Sequence, residues 1–249
     1  MSFEQLRKDG NSCYVSKSKP FMAKFNLNDY LERVFDFAFG MTFENLGEHR
    51  EHRTGGQVKR ENGELFINTF QGKLSEFGMH KFFFDKGIKT EEPDLGMWKK
   101  GIWDDADLEI YKKKINIKSA AFFSNLLLLE SKDWDNAGNY IPNLEKKNAA
   151  YDFFILTRIQ PDGKGLMRKE KLFYSKEIEK QKLKKLIFQE SWKFDIAGFI
   201  TYEELKCIIG KKHILPQNAL LNGKTLMDAE NYYCQAGDMR DIGAILPLL

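Results

Sequence analysis

The chain has 249 residues, 42% of them hydrophobic, 14% aromatic and 30% charged, which supplies one large domain with a full core and a well-solvated surface. No apolar run approaches the roughly 20 residues of a membrane span, and MSFEQLRKDGNS has neither a secretory h-region nor a transit character. Cys13, Cys207 and Cys234 are too few and too scattered for a disulfide framework or a zinc site, so a reducing cytoplasm is the expected location.

The net charge of +3 neither demands nor excludes a polyanionic partner. Its distribution is uneven, with basic clusters at 49–60, 112–118, 168–171 and 180–185. Each is either a solvated face or a set of phosphate contacts.

In chain order, NLNDYLERVFDFAFGM (26–41) predicts an amphipathic helix from Leu31, Val34, Phe35 and Ala38, with Asn28 as N-cap and Gly40 as stop. EHREHRTGGQVKRENGE (48–64) predicts a basic loop or hairpin, and a second helix is expected from about Gln71 to Phe84. AAFFSNLLLLESKDW, after Ser119, fits either a buried helix or a strand, because periodicity does not decide a short apolar run. YDFFILTRI (151–159) predicts a core strand, GKG at 163–165 a turn, and SKEIEKQKLKKLIF a charged helix from Ser175. ESWKFDIAGFI reads as extended, and Thr201 with Glu204 forms a capping box for TYEELKCIIG. An irregular tail, 211–249, follows. Together these predict an α/β fold, a mixed central sheet flanked by helices, in a single domain over 1–249.

The chemistry concentrates in DDADLEIYKKKINIKS, 104–119. A period of two places Asp105, Asp107 and Glu109 on one face of a strand, with Ala106, Leu108 and Ile110 turned to the core. A second strand repeats the pattern, Ile115 and Ile117 inward, Asn116 and Lys118 outward. Asp107 and the Asn116 side-chain oxygen are hard ligands suited to Mg²⁺, which often relies on one or two carboxylates and keeps several waters. Lys118 can orient a water or offset charge developing on phosphoryl oxygens. These are the parts of phosphodiester hydrolysis.

The arrangement D-(x8)-N-x-K on adjacent strands resembles the motif of the PD-(D/E)XK nucleases, and more narrowly the type II restriction endonucleases. The resemblance implies a restriction-endonuclease-like core over about 65–160, Asp107 and Asn116 as Mg²⁺ ligands with the Ile117 carbonyl, and Lys118 assisting the attacking water. Asn116 departs from the pattern, which calls for Asp or Glu. GKLSEFGMHKFF resembles the upstream helix that carries a further acid, here Glu76, and YDFFILTRI the strand that continues the core sheet. It further implies a site-specific, Mg²⁺-dependent deoxyribonuclease acting on double-stranded DNA as a homodimer.

Other readings of the same residues stand beside this one. The alternative for the hairpin is that its charges only solvate it, and for Glu76 that it pairs with Lys73. Glu130, Ser131 and Lys132 supply a literal E-x-K as a rival register, or a helix end. In the basic loop Arg50, Arg53 and Arg60, beside His49 and His52, are candidates for phosphate contact. In the C-terminal region (161–249), expected to serve recognition and dimerisation, Asn222, Lys224, Asn231, Tyr232, Tyr233, Gln235 and Arg240 are candidate DNA contacts. A repair or mobile-element nuclease with structure-specific cutting, and a DNA-binding protein without catalysis, are the alternative functions.

Overall fold

The computed structural model describes residues 2–44, 46, 56, 59–96, 106–144 and 149–249. The chain opens with strands β1 (Arg7–Asp9), β2 (Ser12–Tyr14) and β3 (Phe25–Asn26), then helices α1 (Leu31–Phe43) and α2 (Asn62–Asp85). Strands β4 (Leu108–Ile110), β5 (Lys113–Ala121), β6 (Leu126–Glu130) and β7 (Phe153–Gln160) follow. Helices α3 (Gly163–Lys169) and α4 (Lys180–Phe188) lead to β8 (Lys193–Thr201) and α5 (Tyr202–Gly210). The short strands β9 (Ile214–Leu215), β10 (Leu220–Leu221), β11 (Thr225–Leu226) and β12 (Asn231–Gln235) close the order.

The result is a mixed α/β fold. Its five-stranded sheet has the order β3-β8-β7-β5-β4, with β5 and β7 parallel and every other neighbour antiparallel. One face carries Ile115, Ile117 and Ile155 against Phe66, Phe70 and Phe77 of α2 and, behind them, Val34 and Phe35 of α1. The opposite face carries Phe154, Leu156 and Ile200 against Leu127 and Leu129 of β6 and Leu205 and Ile208 of α5. Both faces of β7 are therefore dry, which is why its first half, FFIL (153–156), is a continuous apolar run rather than an alternating one. A three-stranded sheet, β6-β12-β9, backs the second face, and a four-stranded sheet, β1-β2-β10-β11, joins the two ends of the chain.

Several elements match the sequence reading: β7, the extended segment at β8, and the capping box, in which the Thr201 hydroxyl accepts from the Glu204 amide at 3.3 Å and Glu204 accepts from the Thr201 amide at 2.9 Å. Others are corrected. Gly40 does not stop α1; it is buried inside a helix that continues to Phe43. Asn28 does not cap it but accepts from the Trp192 amide at 2.9 Å. Helix α2 starts at Asn62, not near Gln71, because Gly63 lets the first turn close on the Leu172 carbonyl, where a Cβ would sit only 2.0 Å away. GKG opens helix α3 instead of forming a turn, and the charged helix starts at Lys180, not Ser175. The ambiguous apolar run is extended: β5 runs to Ala121 and LLLLE is β6. Among the described residues no helix is long and apolar enough to cross a membrane.

Inside the sheet, Arg158 of β7 faces Asp195 of β8 and binds it through two hydrogen bonds, at 2.9 and 2.6 Å, with both side chains buried. The same guanidinium donates to the carbonyls of Lys19 and Pro20, and Asp195 accepts from the Met22 amide, so one ion pair anchors the segment entering β3. We expect Asp195→Leu to cost about 3–5 kcal/mol, since it strands a buried guanidinium. Urea denaturation with hydrogen exchange at the Met22 amide measures this; a loss under about 1 kcal/mol would show that the pair anchors little.

His213 is buried against Tyr233, and burial holds its imidazole below the ordinary range, helped by Lys211 and opposed by Asp238. The unfolded chain takes up the proton near pH 6.5 and the folded one resists it. Its contribution is therefore present above about pH 6.5 and lost as pH falls below that, toward the folded value. His213→Gln should shrink the loss of stability between about pH 7 and about pH 5.5. An unchanged pH slope would assign the acid sensitivity to other groups.

Candidate active site on the second face of the sheet

The site is built by a tight hairpin. Tyr111 and Lys112, both with positive φ (48° and 68°), connect Ile110 to its partner Lys113, the geometry of a two-residue turn that matches strand twist. The register pairs Leu108 with Ile115 on the α2 side and Glu109 with Lys114 on the other. Beyond the end of β4 the ladder continues through a side chain: the Asp107 carboxylate accepts from the Ile117 amide at 2.7 Å. That bond fixes Asp107 against β5 between Asn116 and Lys118.

Asn116 and Lys118 share the second face with Phe154 and Leu156, their partners on parallel β7. The outward placement expected for Asn116 is corrected here: the residue is only 5% exposed, because this face too is covered. Its Oδ1 is buried and accepts no hydrogen bond. Lys118 is half-buried, and its carbonyl accepts from the Thr157 hydroxyl at 3.1 Å. Lys114, two residues before Asn116, is a buried lysine on the same face that sequence reading did not single out. Its signal was there in the alternation 114, 116, 118.

The donor set suits a hard cation in kind. It offers one carboxylate, Asp107, and one buried amide oxygen that no protein donor reaches, Asn116 Oδ1. Among the described residues no group of three or more His, Cys, Asp or Glu side chains could hold a metal ion. Asp105 lies outside the described residues.

Glu76 sits elsewhere. Helix α2 covers the α2-facing side of β5, where the Ser75 and Ser119 hydroxyls bond at 2.9 Å, and Glu76 pairs with Lys73 at 2.6 Å. Lys73 in turn lies over the Phe37 ring of α1. The expected role of Glu76 is thus met by a helix ion pair on the far side of the sheet from Asn116 and Lys118. Ile117 is buried, and its amide serves Asp107. Glu130 ends strand β6 opposite Asn231 and is the N-cap of a short 3-10 helix, Ser131–Asp133, in which Lys132 is exposed, so the helix-end alternative holds in this short form.

Arg50 and Arg53, like His49 and His52, lie outside the described residues; Arg60 is half-buried just before α2. Most of the tail is committed to the fold. Asn231 is buried and donates to the Ala229 carbonyl, and the buried Tyr233 hydroxyl accepts from the Leu6 amide at 2.9 Å. Gln235, 1% exposed, accepts from the Ser16 and Lys17 amides and donates to the Glu4 carbonyl. These side chains cannot reach base edges, which corrects that expectation for Asn231, Tyr233 and Gln235. Tyr232 is half-buried against the second cluster, Arg240 binds Glu204 at 2.9 Å, and Asn222 accepts from the Val15 amide in a left-handed turn with Gly223. Lys224 remains exposed.

The bare Asn116 oxygen carries a prediction about stability. A buried unpaired acceptor costs about 1–3 kcal/mol, so Asn116→Leu, of similar shape, should stabilise the metal-free protein by about 1 kcal/mol. Chemical denaturation reads this directly, and a clear destabilisation would mean that Oδ1 is bonded in solution. No family model, curated protein or solved structure matches the chain.

Proposed function

We propose that the chain is a Mg²⁺-dependent endonuclease with a PD-(D/E)XK-type core, of the type II restriction kind, hydrolysing phosphodiester bonds in double-stranded DNA. The single observation that carries this reading is the Asp107–Ile117 hydrogen bond, which seats an acid beside Asn116 and Lys118 on one face of the sheet. A bound Mg²⁺ would supply Lewis acidity toward a phosphoryl oxygen and make a water more acidic. Asp107 and Asn116 would hold it.

Lys118 has the role of positioning the attacking water and offsetting the charge that grows on the non-bridging oxygens. The water oxygen bonds to phosphorus and gives up a proton to solvent, the bond to the departing sugar oxygen breaks, and that oxygen takes up a proton from solvent. The parallel pairing of β5 with β7 and the dry packing behind it hold these groups on a rigid strand, which favours precise placement. A homodimer on a palindromic sequence goes with this reading.

A second reading gains from one observation. With Asn231, Tyr233 and Gln235 inside the fold, fewer side chains are left to read bases. A repair or mobile-element nuclease that recognises the shape of its substrate needs fewer of them.

Asp107→Asn keeps an acceptor for the Ile117 amide but removes the charge, so it should fold normally and lose cleavage by several orders of magnitude. Lys118→Ala should do the same, with duplex binding in Ca²⁺ retained by both. Glu130→Gln should stay within a few-fold of wild type. Digestion of mixed-sequence DNA in Mg²⁺ with sequencing of the fragment ends measures all three and the site preference. Wild-type turnover by Asp107→Asn, or a wild-type protein that binds duplex and never cuts it, would sink the proposal.

A further inference from the structure

We infer that the tip of the β4–β5 hairpin, Tyr111 with Lys112, is a stacking platform for an unpaired base in the DNA cut at this site. This rests on the nuclease reading above, in its structure-specific form, and names the substrate class: duplex interrupted by an unpaired base. The residues do not suit the turn they occupy. Two adjacent left-handed residues favour Asn-Gly, because a bulky side chain in that backbone crowds the following carbonyl. The other two hairpins meet the same demand with glycine. Gly10 (φ 54°) turns β1 into β2, and Asn222 with Gly223 (51° and 66°) turns β10 into β11. Between β4 and β5 the same kind of backbone carries a tyrosine and a lysine.

Nothing in the fold uses these two side chains. Tyr111 is 67% exposed and Lys112 is exposed, and among the described residues neither side chain has a hydrogen bond, ion pair or ring contact. The hairpin beneath them is pinned to the start of β7. Lys113 pairs with Asp152 at 3.0 Å, the Asp152 carboxylate accepts from the Lys114 amide at 2.9 Å, and the Asp152 amide donates to the Lys114 carbonyl at 2.8 Å. An aromatic ring on a fixed mount has little freedom left to lose on binding.

An exposed ring beside a cation matches one partner chemistry, a base face next to its phosphate. Stacking accepts any base, because every base has a π-face, but inside an intact duplex both faces are already covered by neighbouring pairs. Distance along the strand places the platform relative to the cut. Asn116 and Lys118 lie about 13 and 20 Å from Lys112 at about 3.3 Å per residue of extended chain. At about 3.4 Å per nucleotide, the stacked base lies about four to six nucleotides from the scissile phosphate.

The test uses the whole chain and a pool of random-sequence duplexes, each either fully paired or carrying one unpaired fluorescent purine. In Ca²⁺, wild type should bind the interrupted duplexes about tenfold more tightly and quench the purine, as a ring stacked on it does. Tyr111→Phe keeps the ring and should keep both effects, whereas Tyr111→Ala should lose both. The double variant Tyr111→Asn/Lys112→Gly, which suits the turn, should also lose both while its thermal midpoint rises by about 2 °C or more. In Mg²⁺ the cuts should fall about four to six nucleotides from the unpaired base.

Three results would each overturn the platform and leave the nuclease reading standing. They are equal affinity for paired and interrupted duplexes by a wild-type protein that cuts, a preference that survives Tyr111→Ala, and a midpoint unmoved in the double variant. The first would also turn the tip toward a protein partner. A protein that neither binds nor cuts any of these duplexes overturns both.

Discussion

One buried ion pair organises the rest of the molecule. Arg158 and Asp195 face each other across the antiparallel pair β7–β8 at the heart of the main sheet, and neither is accessible to water. A charge in that position is tolerable only if its hydrogen-bonding capacity is used, and here it is: the guanidinium serves Asp195 and the carbonyls of Lys19 and Pro20, the carboxylate also the Met22 amide. The pair therefore fixes where the N-terminal segment crosses the sheet, and with it the start of β3, the edge strand along β8. A hydrophobic pair of equal volume would pack as well without specifying that crossing.

The candidate site illustrates a tension between packing and chemistry. Strand β5 lies between β4 and β7 with both faces covered, so each of its polar side chains is a local cost that the dry packing around it offsets. Lys114 and Asn116 are buried where Leu or Val would pack without penalty. The rigid neighbours that make the cost bearable are also what would hold a reacting group in place.

How much of this was readable in the sequence depends on how local the signal was. The hairpin, the strand YDFFILTRI and the Thr201–Glu204 capping box rest on contacts between near neighbours, and each appears where the pattern put it. The start of helix α2 was expected too late because Asn62, Gly63 and Glu64 continue the polar, glycine-interrupted run before them, and the glycine that suggested a loop is a site of close approach to Leu172. The face of β5 was assigned correctly by alternation, yet the burial of Asn116 depends on β6, β12 and α5, which arrive from distant parts of the chain. The tail was misread for the same reason. Gln235 looks like a surface amide until residues 4–17 are laid over it, and Asn231 until β6 and β9 flank it.

That overlay has a consequence for how the molecule is made. Strand β2 pairs in parallel with β10, and the Leu6, Ser16 and Lys17 amides are answered by Tyr233 and Gln235. Synthesis runs from the N terminus, so residues 6–17 leave the ribosome long before 220–235, the segments that satisfy their backbone. A polypeptide halted short of Tyr233 keeps this first segment unpaired and open to proteases. The joining of these two distant segments thus acts as a seal that closes only once Gln235 has emerged.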